Sequence, residues 1–212
     1  NKVDRDIIDA WVEAAAKAGY RRTDDYNRED QEGVGFFQMT MKNGMRCSAA
    51  AAYLKPIRSR KNQHIITHAH TDKIEFDGMR ATAVMARIRG KSQRIKVGRE
   101  IILSAGSIGS PQILMLSGIG DQNDLGKHGI EPTHHLPGVG RNLQDHLQAR
   151  PVFKCNASTI NTETKNPLQL ASIALEYAFK RSGPRAMAAS LGTAFLKTHD
   201  ALETPDIQFH LQ

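Results

Sequence analysis

A group of very small residues between an apolar run and a helix is the part of this sequence best suited to hold a ligand through its backbone. Ile101, Ile102 and Leu103 form an aliphatic run typical of a strand buried on both faces of a sheet. Ser110 and Pro111 carry the cap and first-position signals of a helix start. A strand, a tight turn and a helix N-terminus together favour a phosphate-like anion. The small residues of the turn are Ser104, Ala105, Gly106 and Ser107.

The same turn has a second interpretation, because small residues also occur where a strand merely has to fit closely against a helix. Both interpretations stay open on the local pattern alone. Three Gly-x-Gly triplets elsewhere, at 33–35, 118–120 and 138–140, lack the third glycine of a dinucleotide-binding fingerprint. None of them is therefore expected to bind a dinucleotide in that way.

Histidines are the other candidates for chemistry. His64, His68 and His70 share one face of an extended strand, but no cysteine or carboxylate cluster joins them, so we expect no metal site. His134 and His135 are expected at the surface. Asn142, Asp145 and His146 are expected to form a hydrogen-bonded support in the Gly- and Pro-containing segment 136–146.

The elements that position these residues follow from periodicity and end signals. Apolar residues recur at helical spacing from Ile7 to Ala18, and Gly19 can end that helix. A helix is predicted at 48–53, and another from Asn166 to Arg181, where Leu168, Ala171, Leu175 and Ala178 share one face. Strands are predicted at 64–68, 73–76, 81–88, 94–97, 100–103, 191–196 and 206–211, with a hairpin turn at Asp77-Gly78.

Composition excludes several classes of protein. The 212 residues carry a net charge of +7, but the basic residues are scattered and aromatic residues are only 6%, which argues against nucleic-acid binding. No apolar run is long enough for a membrane span. Cys47 and Cys155 are too few for a disulfide framework and fit a reducing compartment. We expect a cytoplasmic protein, with peripheral attachment to the inner membrane as the alternative.

A longer pattern around the small-residue turn is far more specific. Residues 106–120 resemble a signature of the glucose-methanol-choline (GMC) family of FAD-dependent oxidoreductases at every restricted position. The segments 31–35, 43–48, 52–54 and 136–146 also resemble that family, in the same order. From about Asp4 onward, the sequence is similar to the middle of such a protein.

The resemblance implies an α/β fold, with the C-terminal part of an FAD-binding domain at 1–147 and the beginning of an α+β substrate-binding domain at 148–212. It implies FAD as the cofactor, with the backbone of Thr71 near the adenine and Ala105, Gly106 and Ser107 also binding FAD. No catalytic residue is expected here, because the family's catalytic histidine and its GxGxxG loop lie outside this sequence. The chain is thus expected to be an internal fragment, inactive alone.

The activity that this resemblance implies is oxidation of an alcohol with hydride transfer to the flavin; the electron acceptor is unknown. Choline-oxidising relatives carry a glutamate where this chain has Leu191. A desolvated quaternary ammonium needs an anion or an aromatic cage. We therefore predict a neutral aliphatic or aromatic alcohol as substrate. The alternatives are a choline dehydrogenase or, if the chain is complete, a non-catalytic flavin-domain-like module.

Overall fold

The computed structural model describes residues 5–188 and 190–211, which form a mixture of helices and mainly antiparallel strands. The helices are α1 (Asp6–Lys17), α2 (Gly106–Leu116), α3 (Gln122–Lys127), α4 (Ile160–Glu163) and α5 (Pro167–Lys180), with a π-helical turn at Ala50–Leu54 and 3-10 turns at Lys55–Ile57 and Pro184–Ala186. The strands are β1 (Gly33–Phe36), β2 (Met41–Lys42), β3 (Met45–Arg46), β4 (Ala69–Asp77), β5 (Arg80–Ile88), β6 (Lys91–Lys96), β7 (Ile119–Gly120), β8 (His134–His135), β9 (Gly192–Leu196) and β10 (Ile207–Leu211).

The chain divides into two compact units. The first combines the chain up to Arg60 with the chain from Val152 onward, and the second is Lys61–Pro151. The division into an FAD-binding portion and a substrate-binding portion near residue 148 stays a prediction, because compactness alone does not say which unit binds what.

In the first unit, α1 packs on an antiparallel sheet with the strand order β1-β9-β10. Ile8 and Val12 lie four residues apart on one face of α1, as the periodicity predicts, and both are buried. They join Val34 and Ala194, which are direct partners across β1 and β9, in a single apolar core. The predicted strands near 191–196 and 206–211 are confirmed.

One edge of this sheet is covered by the chain itself. The bridge segment, Arg21 to Thr23, runs parallel to β1: the N–H of Thr23 donates to the carbonyl of Val34 at 2.9 Å, and the N–H of Val34 donates to the carbonyl of Arg21 at 2.8 Å. A side chain at Gly35 would overlap the carbonyl of Thr23. Glycine is therefore required at that position for steric reasons.

Helix α5 begins and ends where the sequence predicts. The Asn166 side chain accepts a hydrogen bond from the N–H of Leu168 at 2.9 Å, and Arg181 ends the helix in a left-handed conformation. The face that the sequence pattern singled out, with Leu168 and Leu175, is exposed, and Ile173 on another side of the helix is buried instead. The helix is apolar on several sides, so spacing alone could not show which side packs against the rest of the unit.

The second unit is built on a meander, β4-β5-β6, with α2 packed against the edge strand β4. A two-residue hairpin turn joins β4 to β5 where the sequence predicts one, but its residues are Gly78 and Met79 rather than Asp77 and Gly78, since Asp77 pairs with Arg80; Gly78 has a φ of 56°. A second two-residue turn, Arg89-Gly90, has positive φ at both residues, which matches the twist of β5 and β6.

Several sequence predictions for this unit are wrong. Residues 64–68 and 100–103 are irregular rather than strands, and Ile102 is 80% exposed, because none of the described residues offers these segments a hydrogen-bonded neighbour strand. Helix α2 begins at Gly106, one turn before the predicted start at Ser110. The hydrogen-bonded support expected from Asn142, Asp145 and His146 is reduced, among the described residues, to one contact between neighbours: the N–H of His146 donates to the Asp145 carboxylate at 2.8 Å, while Leu143 and Leu147 are exposed.

Candidate functional site

The predicted cofactor turn forms the exposed N-terminal end of α2. Gly106 has a φ of 83°, a conformation that residues with a side chain rarely adopt. A Cβ at Gly106 would meet no atom within 4 Å. The glycine is thus required by its backbone conformation, and the space beside it is open rather than filled by protein.

Ser110 and Pro111 have different roles from those predicted. The Ser110 Oγ accepts a hydrogen bond from the N–H of Ala105 at 2.9 Å, which closes the turn instead of capping the helix. Pro111 lies inside α2 and has no N–H to donate to the carbonyl of Ser107 four residues earlier. These contacts hold Ala105 in place and free one carbonyl near the helix start.

The first turn of α2 suits an electron-rich ligand. Its N-cap residue, Ala105, has no side chain that caps the helix, and the first turn contains no acidic residue. The first backbone N–H groups of a helix have no partner within it, and they carry the positive end of the helix dipole. Donors of this kind, beside an open glycine, fit the polar groups of a dinucleotide cofactor such as FAD.

Thr71, the fourth predicted contact, is half-buried on β4 in the same unit. It precedes an irregularity in the strand, after which Lys73 resumes pairing with Met85. The residue between them, Asp72, directs its carboxylate to Arg87, with the Nε and Oδ1 atoms 3.0 Å apart. An irregularity of this type changes the direction of the backbone groups beside it.

A buried serine joins the strand that carries Thr71 to the helix that begins at Gly106. The Ser117 Oγ accepts a hydrogen bond from the N–H of Ile74 at 2.7 Å and donates one to the carbonyl of Ile113 at 2.5 Å. Ser117 is only 7% exposed. Sequence reasoning missed this residue, because its role depends on a partner that is 43 residues away along the chain.

An ionic contact fixes the segment that follows β8. The Lys127 ammonium, hydrogen-bonded to Asp124 at 2.8 Å, lowers the pKa of that carboxyl group, and Asp124 in turn raises the pKa of Lys127. Arg141 contacts the other oxygen of Asp124 at 2.5 Å. This contact ties the segment 136–146 to α3, in place of the support expected from Asn142 and His146.

The histidines do not form a site together. His70 lies on β4, His68 has a left-handed backbone before that strand, and His64 is in an irregular segment, so the shared face that was expected does not exist. His134 and His135 are exposed on β8, as predicted. Within residues 5–188 and 190–211, no group of three or more His, Cys, Asp or Glu side chains is arranged to hold a metal ion.

Leu191 is 4% exposed and belongs to the core formed with Ile8 and Val12. Its backbone is fixed on both sides: its carbonyl accepts from the N–H of Phe37 at 2.8 Å, and its N–H donates to the carbonyl of Leu211 at 3.2 Å. The position therefore offers an apolar side chain and no anionic group. The inference of a neutral substrate stays a prediction.

Comparison with known proteins identifies the class to which this fold and turn belong. The fold resembles an FAD-dependent oxidoreductase from Chaetomium thermophilum with a TM-score of 0.78 and 26% identity, over 91% of this chain and 35% of that one. It also resembles a pyridoxine 4-oxidase with a TM-score of 0.68 and 26% identity, over 91% and 34%. The α/β fold class is thus confirmed.

The family follows from the sequence comparison. The family model for the N-terminal region of GMC oxidoreductases matches residues 3–148, and the chain belongs to that family. The mitochondrial choline dehydrogenase of Homo sapiens is 42% identical over 95% of this chain, and the oxygen-dependent choline dehydrogenase of Staphylococcus saprophyticus is 38% identical over 98%. The chain spans only 34% and 37% of the length of these two relatives.

Proposed function

We propose that this chain is part of an FAD-dependent enzyme that oxidises the CH–OH group of a small alcohol. The family membership and the choline dehydrogenase relatives support this proposal. FAD accepts the hydride in such a reaction, and the protein binds and orients the reactants. The contribution proposed for this chain is to hold the cofactor, and none of its residues is proposed as the base that removes the hydroxyl proton.

The observation that carries the proposal is the backbone geometry at the start of α2. Gly106 combines a φ of 83° with open space where a side chain would be. Ala105 is held by Ser110, and the first turn of the helix presents N–H groups and contains no acidic residue. We assign Thr71, Ala105, Gly106 and Ser107 to FAD binding through these main-chain groups, with the adenosine half of the cofactor nearest.

The test compares two glycines in the full-length polypeptide. Gly106→Leu and Gly129→Leu both force leucine into a left-handed backbone with free space around it, since Gly129 has a φ of 68° and no atom lies within 4 Å of the position that its Cβ would take. We expect similar losses of thermal stability, but loss of flavin absorbance only in Gly106→Leu. Equal flavin content in the two purified variants would refute the assignment.

The substrate is proposed to be a neutral alcohol, because the apolar Leu191 occupies the position of the glutamate in choline-oxidising relatives. Choline is the second candidate, favoured by the names of the relatives at about 40% identity. Turnover of choline and of neutral alcohols by the full-length protein, measured with an artificial electron acceptor, separates the two. A clear preference for choline would show that another residue supplies the anion.

A cytoplasmic location is part of the proposal. Cys47 and Cys155 are both free thiols, which fits a reducing compartment. Among the described residues, the structure contains no helix with the length and apolar character needed to cross a bilayer. Fractionation of cells that express the full-length protein, followed by a salt wash of the membranes, tests the location and distinguishes peripheral attachment.

A further inference from the structure

The outward side of α5 is apolar. Leu168, Leu175 and Phe179 are seven and four residues apart, so they lie on one side of the helix, and they are 81%, 58% and 83% exposed. Ala171 and Ala178 lie on the same side and are exposed as well. We call these five residues the α5 face. An apolar stripe of this width normally packs against another surface, so its exposure in the described structure points to a partner.

The rest of the first unit holds α5 from other directions. Ile173, on the side opposite the α5 face, is 9% exposed. At the C-terminal end of the helix, the carbonyl of Arg181 lies so close to the hairpin between β2 and β3 that a side chain at Gly44 would overlap it. Because the outer side of a helix is convex, the α5 face forms a ridge rather than the wall of a groove.

The charge around this ridge is positive. Residues 150–188 contain six basic and two acidic residues. Both acidic side chains have partners within the first unit: Arg5 donates to the two oxygens of Glu163 at 3.1 and 2.9 Å, and the Ser182 hydroxyl donates to Glu176 at 2.8 Å. The α5 face itself contains no charged residue. The exposed basic residues at and beyond the two ends of the helix are Lys165, Lys180, Arg181 and Arg185.

This combination of shape and charge selects among the possible partners. If two copies of the chain met through their α5 faces, their basic ends would approach each other with no carboxylate between them, and like charges repel. A lipid bilayer deforms around a ridge, and an amphipathic helix lies with its apolar side about 5–10 Å deep at the boundary between headgroups and acyl chains. Anionic headgroups attract the lysine and arginine side chains beside such a helix.

We propose that the α5 face docks on the surface of an anionic lipid bilayer and attaches the full-length protein to it peripherally. Leu168, Leu175 and Phe179 enter the headgroup region, and the basic residues at the ends of α5 contact lipid phosphates. The free thiols of Cys47 and Cys155 fit attachment from the reducing side of that membrane. This inference does not depend on the proposed alcohol oxidation, since it needs neither FAD nor a substrate.

The test measures binding of the purified, flavin-loaded, full-length protein to phospholipid vesicles by co-sedimentation. Vesicles of phosphatidylcholine with about one third phosphatidylglycerol are expected to bind the protein much better than phosphatidylcholine alone. Phe179→Ser should lower the partition coefficient about 10-fold, because an apolar ring no longer leaves water; Leu168→Ser serves if that variant does not fold. Lys180→Gln should lower it about 5-fold on the anionic vesicles only, and about 1 M salt should remove that difference.

Two matched controls lie in the second unit. Met79→Ser changes a side chain that is 70% exposed in the turn between β4 and β5, and Lys96→Gln removes an exposed charge on β6. Neither should change vesicle binding. Absence of binding to the anionic vesicles, or equal losses in the controls and the α5 variants, would overturn the inference.

The other possible occupants of the α5 face give different results. If Phe179→Ser keeps vesicle binding but lowers the molecular mass in solution, the face binds a second copy and the inference is wrong. If Phe179→Ser keeps vesicle binding but lowers the melting temperature of the protein without vesicles, another part of the full-length polypeptide covers the face, and the inference is wrong for that reason.

Discussion

Replacing Ser117 with alanine should remove the hydrogen bond that attaches α2 to β4. The Ser117 Oγ is the acceptor for the N–H of Ile74, on the edge strand β4, and Ile74 is only 6% exposed. Without the hydroxyl, this N–H stays buried and loses its partner. The carbonyl of Ile113 keeps a hydrogen bond, because the Ser117 N–H also donates to it at 3.1 Å.

The expected loss of stability therefore comes from one backbone N–H that is left without an acceptor. Leaving such a group buried and unpaired costs about 1–3 kcal/mol, so we expect Ser117→Ala to lower the free energy of unfolding by about 2 kcal/mol. Urea denaturation of the flavin-bound, full-length protein measures this loss. Hydrogen exchange should show that the Ile74 amide exchanges faster in the variant.

The control is Ser92→Ala, since Ser92 is exposed on β6. Substitutions of exposed residues of this kind usually change the free energy of unfolding by no more than about 0.5 kcal/mol. If Ser117→Ala matched this control in both unfolding free energy and Ile74 exchange, the hydrogen bond would not be what holds α2 against β4, and the reasoning would fail.

Three further changes test other contacts. The hydroxyl and N–H of Thr198 donate to Asp206 and lower the pKa of its carboxyl group, so this contribution to stability is complete above about pH 4 and is lost as the pH falls further; Asp206→Asn should flatten the acid limb of a plot of unfolding free energy against pH. Gly35→Ala should cost about 1–3 kcal/mol by urea denaturation, because the new methyl group overlaps the bridge segment, whereas Gly98→Ala, in open space, should cost little. Thr193→Val should raise the melting temperature, since it replaces an unpartnered buried hydroxyl with a methyl group; a lower one would indicate a hidden partner.

Local signals predicted the helices well, and long-range partners account for the failures. Asn166 and Pro167 mark the start of α5 within the sequence itself, and the structure places the start there. The run at Ile102 has the composition of a buried strand. A strand also requires a hydrogen-bonded neighbour strand, and the spacing of residues does not show whether one is present. The small residues at Gly106 correctly predicted a tight turn at a helix start. Ser117 carries no local signal, because its function depends on contact with β4.

The pairing of β1 with β9 affects the order in which parts of the protein can fold during synthesis. Gly33 of β1 pairs with Phe195 of β9, about 160 residues later in the chain. During synthesis, β1 must wait for β9 to leave the ribosome, and until then its only described β partner is the bridge segment at Arg22. The meander β4-β5-β6 joins neighbouring strands through two-residue turns, so it can form early. A pause in translation before residue 192 would therefore leave the meander protected from protease while β1 remained open to cleavage.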